Sequence, residues 1–347
     1  MNSTDKLTVA VTGINASDNP GPGIGIARSL KEVMPHVQVA GLAYDAMEPG
    51  IYLEELVDHA YLIPSPSASA VTLLERLSYI QQRVGLHVII PTLDNELPFF
   101  IKYAKRLEKI GVKLFLPDAQ ALSVREKSAL PDLMETCGLK APAQINVSHA
   151  EDVMKGFDAL GGPVMVKGTY YGAFPAYSVD DALTSFGHVS AHCGLPVIMQ
   201  KMAVGQEMNV VGVGDGYGNI PGMVAAKKMA TTHLGKIWTG VTIHHEALLQ
   251  AARDFVASTN WRGPFELECM VEEDEVAVIE INPRFPAWVY FATGVGVNLP
   301  AMVVRLALGE DPQPQHDYAA GKLFIRHTQE QVRDLDRFQR MITLGEA

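Results

Sequence analysis

Cysteine, positive charge and long apolar runs are all scarce in this sequence of 347 residues. The three cysteines, Cys137, Cys193 and Cys269, are scattered and lack metal-ligand spacing, which argues against a disulfide framework and favours a reducing compartment. The net charge of −11 argues against a nucleic-acid-binding protein, although a local basic pocket for phosphates is compatible with it. Because no apolar run reaches membrane-spanning length and the N-terminus lacks a signal-peptide core, we expect a soluble, cytoplasmic protein without membrane partners.

Internal repeats, low-complexity tracts and long linkers are absent as well. The sequence contains no Ser-His or Cys-His constellation for nucleophilic catalysis, and its histidines lack metal spacing. The length is sufficient for two or three lobes with an ample hydrophobic core.

The most informative stretch is 264–284, PFELECMVEEDEVAVIEINPR. In its first half, apolar residues occupy one parity and glutamates occupy the other. Period-two alternation on both sides of a polar turn predicts a β-hairpin, and we place its loop at Glu273–Glu275.

This loop position brings carboxylates into direct opposition across the hairpin. Glu268 then faces Glu280, and Glu266 faces Asn282, with opposed side chains roughly 5 Å apart. Two like charges in that position need a compensating cation, and carboxylate and amide oxygens suit Mg²⁺ held together with nucleotide phosphates. Arg284 follows directly, where its guanidinium can bind phosphate or carboxylate. Two interpretations are open at this point: a metal site, or the solvated face of an edge hairpin.

The first third of the chain, 1–120, alternates strand and helix patterns, which predicts a doubly wound parallel sheet. Its glycine loop, Gly21–Gly25, is either a tight turn that needs small residues or an anion site at a helix N-terminus. A second group follows a strand end, where open α/β sheets bind ligands. That group consists of Thr92, Asp94, Asn95 and Glu96. The predicted strands are Leu7–Thr12, Val37–Ala43, Ala60–Ile63, His87–Pro91 and Val112–Leu116.

Two lysines beyond this region are candidates for phosphate contacts. Lys127 lies in a predicted helix, Ser123–Leu139, where a lone lysine is normally solvated. Lys167 ends an apolar strand, in which a lysine costs desolvation free energy unless an anion meets it.

These motifs resemble the ATP-grasp superfamily, and Glu268…Glu280-Ile-Asn282-Pro-Arg284 is similar to its metal-binding signature. Within the superfamily, the similarity is greatest to the branch that contains the carbamoyl-phosphate synthetase large chain and biotin carboxylase. This sequence contains a single ATP-grasp unit. The resemblance implies an α/β doubly wound N-terminal domain followed by an α+β, two-lobed ATP-grasp fold. The implied parts are 1–120 for the first domain, 121–200 and 201–328 for the two lobes, and 329–347 for a C-terminal tail.

The resemblance also assigns roles to single residues. Lys127 and Lys167 would contact phosphates, Gln200, Lys201, Met202 and Ala203 would form the adenine hinge, and Glu207 would contact the ribose. The metal ligands would be Glu268, Glu280 and Asn282, and the catalytic cations would be Arg284 and Lys228. Taken alone, Lys228 and its neighbour Lys227 would be surface charges. Thr169–Ala173 would be a phosphate-covering loop, shorter than in many members of the family.

The implied activity is an ATP-dependent carboxylate–amine ligase that uses Mg²⁺, for which Mn²⁺ can substitute. The carboxylate is phosphorylated, an amine attacks the acyl phosphate, and ADP and phosphate leave. A bicarbonate-activating enzyme and a nucleotide-binding module without ligase activity are the alternatives. Phe285-Pro286-Ala287-Trp288 lacks the acid that follows the arginine in biotin carboxylases, which disfavours bicarbonate activation. We expect small-molecule or peptide substrates, no nucleic acid, and a homodimer as one assembly to test.

The aromatic residues just past the metal signature allow two interpretations. They either pack in the core or form an apolar wall of the substrate pocket. These residues are Phe285, Trp288, Tyr290 and Phe291.

Overall fold

The computed structural model describes residues 6–15, 20–169, 172–233 and 235–347, without the side chains of 124 and 125. Of the predicted phosphate-covering loop, 170 and 171 therefore lie outside the described residues. Three β-sheets organise the described chain: a parallel sheet of four strands, an antiparallel sheet of four and an antiparallel sheet of six. No helix in the described part is both long and apolar enough to cross a membrane.

The parallel sheet forms the predicted doubly wound N-terminal domain. Val9 and Val11 pack toward the first helix, whereas Ala10 packs toward the second and third, so helices cover both faces. The strands are β1 (Thr8–Val11), β2 (Gln38–Ala43), β3 (His59–Leu62) and β4 (Leu86–Ile90), and the helices are α1 (Gly23–Val33), α2 (Ala70–Val84) and α3 (Leu97–Glu108). Their order in the sheet is β3-β2-β1-β4, which confirms the predicted fold of this domain. The predicted fifth strand, Val112–Leu116, was wrong, because this segment makes only an isolated bridge, between Lys113 and Val88.

The smaller antiparallel sheet carries Lys167 and the predicted hinge. The single helix predicted over Ser123–Leu139 was wrong: two short 3-10 segments, Ala121–Arg125 and Lys127–Ala129, come first. The α-helix begins only at Leu130, because Pro131 fits a first helical turn but not a helix interior. The elements are α4 (Leu130–Thr136), β5 (Gln144–Val147), α5 (Glu151–Leu160), β6 (Val164–Lys167), β7 (Ala173–Ala176), α6 (Val179–Cys193) and β8 (Val197–Lys201). The strand order is β5-β8-β6-β7.

The larger antiparallel sheet carries the predicted metal hairpin at one edge. Its strands are β9 (Gln206–Asp215), β10 (Gly222–Thr231), β11 (Ile237–Ile243), β12 (Arg262–Glu272), β13 (Glu275–Asn282) and β14 (Leu323–Ile325). The helices in this part of the sequence are α7 (Glu246–Thr259), α8 (Tyr290–Gly294), α9 (Leu299–Leu308) and α10 (Leu335–Leu344). The order β13-β12-β9-β10-β11-β14 places the hairpin beside β9.

The hairpin register was predicted correctly, although its loop was not. Glu268 pairs with Glu280 and Glu266 with Asn282, as expected. The turn, however, contains two residues rather than three, because Glu272 pairs with Glu275. A bulge in the pairing just beyond Glu268 restores the parity that the shorter turn would have broken.

A shared hydrophobic core joins the N-terminal domain to the larger sheet. It includes Val9 and Val11 of β1, residues of α1, Val211 and Val213 of β9, and α9. The core-packing interpretation of the aromatic residues is correct for Phe285, Trp288 and Phe291, which are all buried. Tyr290 lies at the rim, where its hydroxyl donates to Glu32 Oε1 at 2.6 Å. This core fixes the N-terminal domain against the metal hairpin.

The C-terminal segment returns to the N-terminal domain. Met341 of α10 is fully buried, and Glu346 forms an antiparallel bridge with Tyr61 of β3. The Ala60 amide donates to the Ala347 carbonyl at 2.8 Å. The charged tail therefore docks on the edge of the parallel sheet, while the domain boundaries at 120, 200 and 328 stay predictions.

Candidate functional site

Acidic and amide side chains line one face of the hairpin where it joins β9. The Asn282 amide donates to Glu266 Oε2 and to Glu268 Oε1, both at 3.0 Å. Asn209, which pairs with Glu268 across β9 and β12, donates to Glu266 Oε1 at 2.8 Å. The opposite face of β12 is apolar and buried, so the alternation seen in the sequence separates the core from this polar cluster.

Lys228 reaches this cluster from β10. Its Nζ lies 2.7 Å from Glu268 Oε2 and also bonds Glu207, while the side chain is only 7% exposed. Burial by itself would lower the pKa of Lys228, but the carboxylates of Glu268 and Glu207 outweigh burial and raise that pKa. The surface-charge interpretation of Lys228 is therefore wrong, whereas its predicted catalytic role stays a prediction.

Lys127, in the second 3-10 segment, and Lys167, at the end of β6, also lie near this cluster. Lys127 Nζ lies 3.3 Å from Glu280 Oε2 with its side chain 8% exposed, so the solvated interpretation of this lysine is wrong. Lys167 Nζ donates to Gln200 Oε1 at 2.7 Å. Burial, and then the positive charge of Lys127, lower the pKa of Lys167 to about 8. A lysine held in this way favours an anionic ligand, because phosphate oxygens would stabilise its charged form.

The predicted adenine hinge, Gln200 to Ala203, lies at the end of β8. The amides of Lys201 and Met202 donate to Ala143 O at 2.8 Å and Pro163 O at 3.0 Å. An adenine contact from these two residues would therefore have to use their carbonyl oxygens. The side chain of Gln200 is buried and bonds Lys167, so in this structure it positions that lysine.

Arg284 links the hairpin to the N-terminal domain. Its Nε lies 3.0 Å from Asp94 Oδ2, and its Nη2 donates to Asn282 Oδ1 at 3.1 Å. Burial opposes the charge of Arg284, but Asp94 and Glu266 raise its pKa. Among the residues of the loop after β4, Asp94 thus contacts the predicted site. Glu96 is instead fully buried and holds the loop by accepting from the Thr92 amide at 2.7 Å.

The glycine loop fits the tight-turn interpretation. A Cβ on Gly21 would lie 2.2 Å from Gly13 O, and a Cβ on Gly23 would lie 2.3 Å from Thr12 O. The Gly21 amide donates to Asn15 O and the Gly23 amide donates to Gly13 O. Because Pro22 has no amide hydrogen, these three residues offer no backbone donor to an anion.

A basic cluster that no sequence pattern indicated includes Arg284. Lys236 Nζ donates to Pro20 O at 2.9 Å, and burial followed by the charges of Arg284 and Arg326 lowers the pKa of Lys236 to about 8. Arg326 donates to Ala287 O at 2.8 Å, and its buried Nε has no partner among the described residues. Isolated basic residues in unrelated segments gave no sequence signal for this cluster, which we define as Lys236, Arg284 and Arg326.

The oxygen atoms of the hairpin fit a divalent cation that brings other ligands with it. Within the described chain, no group of three or more His, Cys, Asp or Glu side chains is arranged to hold a metal unaided. Glu268, Glu280 and Asn282 supply hard oxygen donors of the type that Mg²⁺ takes together with phosphates. Asn209 Oδ1, on the same face, is buried without a partner among the described residues, so this surface retains unused acceptor capacity.

The fold of the described chain is the ATP-grasp fold, a doubly wound N-terminal domain followed by two lobes. A family profile described as "ATP-grasp in the biosynthetic pathway with Ter operon" matches residues 196–330. The chain is thus similar to ATP-grasp proteins of the branch that contains carbamoyl-phosphate synthetase and biotin carboxylase, which confirms the resemblance.

One curated relative is the carbamoyl phosphate synthase large chain of Lachnoclostridium phytofermentans, 27% identical over 227 residues. The match covers 60% of this chain but 21% of the relative, so the chain spans about a fifth of that protein.

Two solved structures share the fold. One is the biotin carboxylase domain dimer of Hydrogenobacter thermophilus 2-oxoglutarate carboxylase, in complex with MgADP, ADP and bicarbonate. It has a TM-score of 0.69 and 16% identity, over 91% of this chain and 73% of that one. The other is L-amino acid ligase from Bacillus licheniformis, with a TM-score of 0.64 and 15% identity, over 88% of this chain and 75% of that one.

Proposed function

We propose that this protein is an ATP-dependent carboxylate–amine ligase that works through an acyl phosphate and releases ADP and phosphate. The observation that carries the proposal is the convergence of buried cations on the acidic hairpin. Lys127 and Lys228 contact its carboxylates, and Arg284 contacts its amide. Phosphoryl transfer needs positioning and charge stabilisation rather than a protein nucleophile, which such a constellation supplies.

The nucleotide would lie between the two lobes, with its phosphates toward the lysines. Lys127 and Lys167 would neutralise phosphate oxygens, and Glu207 would accept from ribose hydroxyls. Carbonyl oxygens of Lys201 and Met202 would meet adenine. Mg²⁺, present as MgADP in the Hydrogenobacter thermophilus biotin carboxylase domain, would be held here by Glu268, Glu280 and Asn282, and when bound it supplies charge stabilisation to the phosphates.

The substrate carboxylate would lie over the basic cluster. Arg284 spans the distance between Asn282 and Asp94, so it touches both the predicted metal ligands and the N-terminal domain. Lys236 and Arg326 add positive charge beside it, which offsets the charge of a carboxylate approaching the phosphates. This arrangement supports a small-molecule or peptide acid as the acceptor of the phosphoryl group.

Bicarbonate activation is the second candidate, because the same basic cluster suits a small oxyanion. Against it, the segment that follows Arg284, Phe285-Pro286-Ala287-Trp288, contains no acid, and Trp288 is buried. We further propose that the chain divides into its parts at residues 120, 200 and 328 and that the protein is cytoplasmic. A homodimer is the assembly to examine.

A screen for ADP release tests these proposals. Amino acids, peptides and small carboxylic acids are offered with MgATP, with and without bicarbonate, and hydroxylamine is added to trap acyl phosphates as hydroxamates. A ligase gives ADP and a hydroxamate only when a carboxylic acid is present. Bicarbonate-dependent ADP release supports the second candidate. Nucleotide binding without any substrate-dependent ADP release would contradict both and leave a binding module.

A further inference from the structure

Each carboxylate predicted to hold the metal is already paired with a lysine of the same chain. Glu268 Oε2 lies 2.7 Å from Lys228 Nζ, and Glu280 Oε2 lies 3.3 Å from Lys127 Nζ. A divalent cation approaching these oxygens therefore meets two ammonium groups. In surroundings of low dielectric, this repulsion between like charges is much stronger than in water.

Lys228 holds the more constrained of the two positions. Its ammonium bonds Glu207, the carboxylate assigned to ribose, as well as Glu268, the carboxylate assigned to the metal. A third bond runs to the Gly235 carbonyl at 3.2 Å. One buried cation thus joins the predicted nucleotide and metal positions, so a ligand at either position changes the partners of the other.

We propose that Lys228 makes divalent-metal binding at Glu268 conditional on nucleotide. Without phosphate anions, the metal and the Lys228 ammonium compete for the same carboxylate oxygens. Nucleotide changes this balance, because its phosphates carry enough negative charge for both cations and its ribose hydroxyls take over Glu207. The inference rests on the proposed function, since it requires the nucleotide to bind in this cleft.

Binding of Mn²⁺ in the absence of nucleotide tests the proposal without measuring activity. Free Mn²⁺ is followed by electron paramagnetic resonance during titration of the wild type, Lys228→Met and Lys228→Gln. We expect both variants to bind Mn²⁺ at least about tenfold more tightly, because a competing charge-assisted contact is removed. Lys227→Met is the matched control: it removes the same charge from the adjacent position of β10, on the opposite face. Its Mn²⁺ affinity should equal that of the wild type.

Addition of ADP completes the design. ADP should strengthen Mn²⁺ binding by the wild type more than binding by the Lys228 variants, since the variants no longer need phosphate to displace the lysine. Circular dichroism establishes whether the variants fold. If Lys228→Met does not fold, the test uses Lys228→Gln. Normal ADP binding with Mn²⁺ affinities equal to that of Lys227→Met would overturn this inference alone. Failure of the wild type to bind ADP with Mg²⁺ would overturn the proposed function and this inference with it.

Discussion

Nucleotide binding should be linked to the protonation of Lys167. This side chain is 5% exposed, and burial followed by the charge of Lys127 lowers its pKa from 10.5 to about 8. That lowering corresponds to about 3 kcal/mol against the charged form. The cost weakens folding below pH 8 and disappears as pH rises toward 10.5, because the unfolded chain then binds more protons than the folded one. Phosphate oxygens at Nζ would recover much of this free energy by favouring the ammonium.

At pH 8.5, we therefore expect ADP binding to take up between about half a proton and one proton per site. At pH 6.5 Lys167 is already charged, and uptake by this residue should vanish. Above pH 8 the ADP affinity should fall with a slope that approaches tenfold per pH unit, because binding then requires a proton from solution. Below pH 7 the affinity should no longer depend on this lysine's ionisation.

Isothermal titration calorimetry in two buffers of different ionisation enthalpy measures this uptake. Lys167→Met should abolish it and weaken ADP binding by roughly 1.5–3 kcal/mol, without lowering the melting temperature, because a buried charge is removed. Lys155→Met is the control, since Lys155 is 74% exposed and pairs with Asp152, three residues before it. Uptake that is equal at both pH values, or that survives in Lys167→Met, would refute the assignment of Lys167 to the phosphates.

Three further predictions concern chemistry and substrate binding. Glu280→Gln should keep ADP affinity but reduce substrate-dependent ADP release by about 10²-fold or more, and wild-type turnover with saturating Mg²⁺ would contradict a metal role for the hairpin. Asp94→Asn should remove the negative charge that holds Arg284 Nε and lower kcat by about tenfold with ADP affinity unchanged in calorimetry, whereas an equal loss of ADP affinity would indicate a structural effect. Lys236→Met should raise KM for the carboxylic acid about tenfold while KM for ATP holds, and the reverse pattern would place Lys236 with the nucleotide.

Local sequence patterns were sufficient to predict structure where one hydrophobic periodicity dominates a segment, or where one residue is costly to bury without a partner. Alternation along β12 and β13 determined which side chains share the polar face, because a one-residue slip would turn the glutamates toward the apolar core. The apolar run before Lys167 indicated a buried lysine that needs a partner, and the structure supplies Gln200. The alternation of strands and helices was enough for the doubly wound domain, since parallel neighbours require crossover helices.

Only the tertiary structure decided how these parts meet. The turn at Glu273–Asp274 and the compensating bulge in the hairpin have no local signature, because pairing with β9 helps to fix the register. Lys236 and Arg326 come from separate segments, and no spacing in the chain could reveal that Lys236 lies near both Arg284 and Arg326. Asp94 reaches Arg284 because a shared core holds β1 and α1 against α9. Such contacts depend on where rigid elements dock, which is set by side chains far apart in the sequence and not by the residues that form the contact.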